Sequence, residues 1–241
     1  MNMNMNGGLG VIRIPNSHLR IYASAPPETN EIRVCTSKTC RRQGSMESLQ
    51  VLSGIAPPNI SVASCGCLGR CGAGPNLVVL PSATFVNHCA TAARAAQIMA
   101  IVTGSDLGVW NNALRALSVR KKAEIYMEKG DFATAEAMLT QALDLNPVGG
   151  IHHIYRNRSA ARLALNNTVA ALEDAIEAST LAPKDPEAYI CKGDALMGME
   201  QFEAAGDSYS MALQLDPSIR RSKSFKARIA KLEEKLLILD L

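Results

Sequence analysis

The sequence predicts two units of different kind: a small α+β sandwich, then an all-α solenoid of three helix pairs and a capping helix. Three observations carry this. Six of the seven cysteines lie between Cys35 and Cys89. Residues 31–103 alternate between strand-like and helix-like hydrophobic spacing. Beyond residue 104 the chain repeats itself, with Pro147, Pro183 and Pro217 separated by 36 and 34 residues. A length of 241 residues suits two small domains at about 100–200 residues each. The boundary is expected near Thr103-Gly104-Ser105.

With 47% hydrophobic and 20% charged residues the chain has the balance of a soluble folded protein. No apolar run approaches the roughly 20 residues of a membrane helix, so no membrane span is expected. A net charge of +3 gives no ground for nucleic acid as a partner. The charge is uneven: residues 31–103 carry +4 and residues 104–241 carry −2.

Residues 1–30 read as an organelle transit peptide or a disordered leader. No acidic residue precedes Glu28, while Arg13, Arg20, Ser17 and Ser24 are present, the composition of a transit segment. The expected compartment is the chloroplast stroma, with the mitochondrion as alternative and Tyr22 to Ala25 as the cleavage region. In such a compartment a dense cysteine set points to metal and not to structural disulfides.

The first unit reads in order as strand, helix, strand, strand, strand, helix. Ile32 to Cys35 alternates like a strand, and Met46 to Ile55 has helical spacing. Asn59 to Ser64 alternates again, and Asn76 to Leu80 is a short apolar strand closed by Pro81. Ala83 to Asn87 is its expected hairpin partner, and Thr91 to Val102 is an amphipathic helix.

The cysteines sit where this pattern breaks. Cys35 ends the first strand, and Cys40 follows across the polar stretch Thr36-Ser37-Lys38-Thr39, read as a loop. The second group lies in Cys65-Gly66-Cys67-Leu68-Gly69-Arg70-Cys71-Gly72-Ala73-Gly74-Pro75. Glycines let backbone wrap closely and aim N–H groups at an anionic centre. Four thiolates repel one another unless cations pair them, and a [2Fe–2S] cluster takes two cysteines per iron. The predicted ligands are Cys35, Cys40, Cys67 and Cys71, with Cys65 as the alternative to Cys67. Zinc held by the same thiolates is the alternative metal. Lys38, Arg41, Arg42 and Arg70 stand beside the ligands and would offset the cluster's charge. Cys89 reads as a small buried hydrophobe early in the second helix, and His88 as a helix-start residue.

Val34-Cys35-x₄-Cys40, followed by Cys67-Leu68-Gly69-Arg70-Cys71-Gly72-x-Gly74-Pro75-Asn76, resembles the thioredoxin-like [2Fe–2S] ferredoxins. It is also similar to the small ferredoxin-like subunit of respiratory complex I. The resemblance covers residues 31–103. It implies a thioredoxin-like fold with the cluster held between two loops near one end.

In the second half, counting back from each proline aligns Ala135, Ala171 and Ala205, and likewise Leu139, Ala175 and Tyr209. Ala123, Ser159 and Gly193 also coincide. Small residues let antiparallel helices approach closely, and a proline ends each second helix. This pattern resembles the tetratricopeptide repeat. The repeats are placed at 116–149, 152–185 and 186–219. The extra residues near Gly149-Gly150 are assigned to a tolerant loop. Phe225, Ile229, Leu232, Leu236 and Leu239 form one stripe of a capping helix over 220–240.

The resemblance implies a concave groove lined by Arg120, Glu124 and Met127, by His153, Arg156, Asn157 and Leu163, and by Glu187, Ile190, Cys191 and Asp194. Its expected occupant is a protein or peptide client. Asn157-Arg158-Ser159-Ala160 is similar to the second repeat of co-chaperones that grip a carboxylate tail. In this chain, however, Glu124 stands where that clamp wants Asn, Glu187 replaces its Lys and Cys191 its Arg. Carboxylates beside an anionic chain end are repulsive, so tight chaperone-tail binding is not expected, and a client of basic character is. His152 and His153 read as loop or groove residues and not as metal ligands.

No catalytic triad, phosphate loop or paired catalytic carboxylates stands out, so the expectation is a binding or electron-transfer protein and not an enzyme. The first functional reading is a redox-sensitive interaction or assembly factor for electron-transfer complexes. The second is a ferredoxin-like carrier docked to a redox partner through its repeats. The third is a scaffold stapled by its cluster.

Overall fold

The computed structural model describes residues 30–239. The leader expected over the first residues therefore lies outside the described part up to residue 29. Four strands and ten α-helices follow in order. The first unit holds β1 (Glu31–Cys35), α1 (Lys38–Arg42), α2 (Ser45–Ile55), β2 (Ser61–Cys65), β3 (Leu77–Leu80), β4 (Thr84–Val86) and α3 (Ala92–Thr103). The strands form one sheet in the order β2-β1-β3-β4. β1 and β2 are parallel, and the other two pairings are antiparallel. The parallel pair needs a crossover, which α2 provides. Ile32 and Val34 of β1, Leu77 of β3, Leu52 and Ile55 of α2, and Ile98 and Met99 of α3 share one buried core.

Two local expectations are corrected. Cys40 is not in a loop: it is the buried residue of the short helix α1, whose one turn the polar stretch begins. Cys89 and His88 precede α3 instead of starting it. Thr91 is the cap, its hydroxyl accepting from the Arg94 N–H, while His88 has φ +55° in the preceding loop.

The helical half comprises α4 (Leu107–Glu128), α5 (Phe132–Asp144), α6 (Ile151–Ala164), α7 (Thr168–Leu181), α8 (Pro186–Gly198), α9 (Phe202–Leu215) and α10 (Lys223–Leu239). Three turns between paired helices use the same device. Gly130, Asn166 and Glu200, spaced like the prolines, all take left-handed backbone. The residue after each is the N-cap of the next helix, and Asp131 and Asn167 cap theirs with side-chain oxygens.

Packing within each pair is a volume exchange. In the first pair Ala123, Ala135 and Leu139 are fully buried in one core, and in the second the Ser159 hydroxyl donates to the Ala171 carbonyl at 2.7 Å. In the third pair Tyr209 is fully buried, and a Cβ on Gly193 would collide with its ring. The largest residue at one level thus requires the smallest at the other, as close-packed interiors demand. Between α6 and α7, Asp174 is 3% exposed and accepts from both Arg158 and Arg162. Phe225 and Leu232 of α10 are buried against the third pair.

Gly104 separates α3 from α4, yet the hydrophobic core does not divide there. Trp110, Ala113 and Leu117 on α4 belong to the core of the sheet unit, and Trp110 is 2% exposed with its indole N–H donating to Ser105 Oγ. The turn at Gly149-Gly150 forms a second junction. Both glycines are buried, and the Gly150 N–H donates to the Ala56 carbonyl at 3.1 Å. A Cβ on Gly149 would meet the Ile55 carbonyl, and one on Gly150 the Gly54 carbonyl. The tolerant loop expected here is instead a backbone-to-backbone seam with the end of α2. Gly150 also has φ +71°. Replacing Gly150 with alanine should therefore cost about 1–3 kcal/mol, the range of overpacking. A fall in the urea midpoint of the full chain is the measurement, and an unchanged midpoint would mean that the seam is slack.

Candidate functional site

Two sites are built by this fold. The first is the cysteine end of the sheet. Cys35 and Cys65 close the parallel strands β1 and β2 and are register partners. Cys35 and Cys40 are each 1% exposed, whereas Cys67 and Cys71 are exposed. The Cys67 and Cys71 sulfurs lie 3.7 Å apart. Among the described residues, no three cysteine sulfurs lie within 4.8 Å of one another. The thiols are thus grouped as an inner and an outer pair.

The surroundings fit an anionic sulfur centre. Burial pushes the Cys35 thiol up, but hydrogen bonds from the Ser37 and Leu68 backbone outweigh it, so its pKa is lowered. Cys40 is raised, by burial first and then by its sulfur neighbours Cys35 and Cys71. Cys71 is raised by its hydrogen bond with Cys67 and by the charge there. Proximate thiols that resist losing their protons together are relieved by a bound cation. Donors are in place: Asn76 Nδ2 lies 3.7 Å from Cys40 Sγ, and the Gly69 N–H points at Cys67 Sγ at 3.4 Å. Asn76 is 1% exposed and also donates to the Arg70 carbonyl at 2.7 Å, which fixes the outer loop over the inner pair. Gly66, Gly69 and Gly72 face open space, while a Cβ on Gly74 would strike Gln43 and crowd Cys40 Sγ. Four thiols in two pairs suit the two irons of a [2Fe–2S] group. A single tetrahedral zinc, with Zn–S bonds of about 2.3 Å, would require all four sulfurs to close up.

Cys65 is the last residue of β2, and burial raises its thiol, followed by the Cys35 charge. Cys67 leaves the strand and is free to turn toward Cys71. Cys89 is buried, its thiol pushed up to about 11 by burial, as befits an inert core thiol. Of the nearby cations, Arg70 stacks over the Phe85 ring at 4.5 Å. Lys38, Arg41 and Arg42 line a small recess with Thr36.

The second site is the concave face of the helix pairs. Its charged residues are already partnered. Arg120 donates to Glu124 at 2.6 Å, and Asn157 Nδ2 donates to the same oxygen at 2.8 Å. The Arg120 side chain is only 13% exposed, because α2 covers it, and burial lowers its pKa. Arg156 donates to Asp185 at 2.8 Å and lies 3.8 Å from Glu187. Asp194 accepts from Tyr209 at 2.7 Å and from Arg228 of α10 at 2.7 Å. Arg228 lies one repeat length beyond Asp194, so the capping helix continues the array, a connection that the stripe of leucines alone did not reveal.

The remaining expected groove residues turn inward. Met127 packs in the first pair's core and Ile190 in the third's. Leu163 reaches Gly198. Cys191 donates to the Arg156 carbonyl at 3.5 Å, and burial pushes its thiol up to about 11. His153 sits in the first turn of α6 with His152, so neither is in a loop. Sequence reasoning set this pair aside, because nothing local signals that Asp185 lies beside it.

Comparison with known proteins agrees on the helical half. The tetratricopeptide repeat family matches residues 121–148. The chain is 33% identical over 107 residues to Protein STIP1 homolog of Dictyostelium discoideum, covering 44% of this chain and 19% of that protein. It is 39% identical over 88 residues to human Tetratricopeptide repeat protein 28, covering 36% of this chain and 4% of that one. The chain thus spans less than a fifth of the length of either relative. Among solved structures, the second such domain of human RPAP3, in complex with the HSP70 peptide SGPTIEEVD, is 19% identical with a TM-score of 0.44. That match covers 51% of this chain and 98% of the other. The stacked helix pairs of the second half are tetratricopeptide-like, the family match itself covering residues 121–148. Among the described residues no helix is long and apolar enough to cross a membrane.

The histidine pair gives this site a pH signature. Burial lowers His152 from 6.5 to about 4. Burial first, then the neighbouring His152, Arg120 and Arg156 charges, lower His153 to about 3. The unfolded chain takes up these protons below pH 6.5, while the folded chain refuses them until about pH 4, so stability falls as pH drops through that window. The slope is at most about 1.4 kcal/mol per pH unit for each imidazole. Urea midpoints recorded down the pH scale should show the fall, and His152→Gln should flatten it. An identical slope in that variant would assign the effect elsewhere.

Proposed function

We propose that this protein is a [2Fe–2S]-binding interaction factor, in which the repeat domain holds a protein client and the sheet unit carries the cluster. The observation that supports it most is the pairing of a buried and an exposed set of thiols at one end of a four-stranded sheet. The parallel β1–β2 pair joined through α2, with an antiparallel β3–β4 hairpin and a closing helix, supports the thioredoxin-like reading. Cys35 and Cys40 would hold the inner iron, and Cys67 and Cys71 the outer. When bound, the cluster supplies one-electron chemistry. The chain's own contribution is to present the outer pair to solvent, to donate hydrogen bonds from Gly69 and Asn76, and to keep Cys89 and Cys191 unreactive. An organellar address, the chloroplast stroma or else the mitochondrion, belongs to the same proposal and rests on the composition of the leader.

Anaerobically purified protein should contain iron and acid-labile sulfide in equal amounts and give a [2Fe–2S] electron-resonance signal on reduction. Cys67→Ser should abolish the signal, and Cys65→Ser should leave it. Absence of iron and sulfide would end the proposal, and the reverse mutant pattern would move the ligand to Cys65.

For the groove, the partnered state of Arg120 and Arg156 supports a client other than a chain-terminal carboxylate. Titration of the full chain with a labelled peptide SGPTIEEVD should show an affinity at least about 10-fold weaker than that of a co-chaperone repeat domain measured alongside, a difference of about 1.4 kcal/mol. Comparable affinity would mean that Arg120 and Arg156 exchange their internal carboxylates for the tail.

A further inference from the structure

We infer that His152, His153 and Asp185 form a binding site for a divalent first-row transition ion of the zinc type, at the floor of the cleft between the sheet unit and the repeats. One ligand atom from each residue lies within 4.8 Å of the others. Among the described residues no other group of three or more histidine, cysteine, aspartate or glutamate side chains gathers so closely. The cleft above them has a volume of about 660 Å³ and is also lined by Ala56 to Val62, the connection from α2 to β2 and the start of that strand. His152 and His153 lie in the first turn of α6 in the second pair, and Asp185 is the N-cap of α8 in the third, so the site exists only once the repeats have stacked.

A second, independent observation points to a ligand. His152 is 7% exposed, and its Nδ1 has no hydrogen-bond partner. A buried polar nitrogen left empty costs about 1–3 kcal/mol, a cost that coordination would remove. His153 stands beside Ser53 of α2 on the lining of the same cleft. Burial keeps both imidazoles neutral, the form that binds metal. Two imidazoles and one carboxylate are a donor set that zinc accepts, and with three protein ligands the fourth position opens on the cleft.

The competing charges are the guanidinium groups of Arg120 and Arg156. Against them stand Asp185, Glu187 and Glu124, one negative charge in surplus. Arg156 Nη1 now donates to Asp185 Oδ2 and lies 3.4 Å from His153 Nδ1. Its Nη2 is already 3.8 Å from Glu187, so the guanidinium retains a partner when Asp185 turns to the ion. Bonds of about 2.0–2.2 Å to zinc bring ligand atoms closer than they are here. A rotation of the Asp185 side chain away from Arg156 closes that gap. Arg156 is therefore the latch of the site: it holds the carboxylate while the ion is away.

The test is a zinc titration of the full chain, followed by histidine NMR and by thermal unfolding. Zinc should shift the signals of two imidazoles and raise the unfolding midpoint. His153→Gln and Asp185→Asn should each weaken binding by more than the ~10–100-fold typical of losing an outer-shell partner. Asparagine still caps α8, so Asp185→Asn separates loss of the ligand from loss of the fold. Arg156→Gln should tighten binding, an effect that a purely structural histidine pair would not show. Cobalt in place of zinc should give weak ligand-field bands without thiolate charge transfer, which distinguishes this site from the cysteines. The proposal is overturned if zinc leaves the imidazole signals in place. It is equally overturned if cobalt bands of thiolate character account for all bound metal. Neither outcome depends on whether the cysteines carry iron.

Discussion

The structure depends on one contact, the seat of the Gly149-Gly150 turn on the carbonyls that end α2. Those carbonyls have no helical partner of their own, and one of them takes the Gly150 N–H. Contact at this range is available only to backbone without a side chain, hence the two glycines. Once the seam forms, the rest follows. α2 covers Arg120, Ser53 meets His153, and the linker between α2 and β2 becomes the wall of a cleft. The seam turns an arrangement of two units into a single body with a sheltered surface between them.

That shelter changes the chemistry of the repeat groove. An open helix array presents its charges to a ligand. Here Arg120, Arg156 and Asp194 are each occupied by a residue of the same chain. Unpairing such groups in a partly desolvated place is costly, so a client must offer better partners than those already present. A ligand of the polar groove would therefore have to displace these internal partners. The capping helix takes part, because Arg228 neutralises Asp194 of the last pair.

Much of the architecture was legible in the sequence. The repeat was visible because three prolines and three levels of small residues recur, and the packing needs both. The sheet unit was visible because its strands alternate and its cysteines fall at strand ends. What sequence could not give was contact across units. Gly149-Gly150 reads as an insertion, since an insertion and a seam look the same when the surface they touch is unknown. Trp110 lies ahead of the first repeat and carries no periodic signal, so its membership of the sheet unit's core was hidden. Cys40 reads as loop because the four polar and basic residues around it form a helix only when the cysteine is drawn inward. The histidines read as bland because their third companion is some thirty residues away in sequence.

Trp110 has a consequence of its own. The indole that completes the interior of the amino-terminal unit is supplied by the helix that opens the solenoid. The two parts cannot be exchanged like beads on a string, because cutting the chain at the glycine between them would strip the first of its keystone and leave a large aromatic face bare on the second. The cysteine end and the helix groove are thus mechanically wedded, and neither can be transplanted without the other.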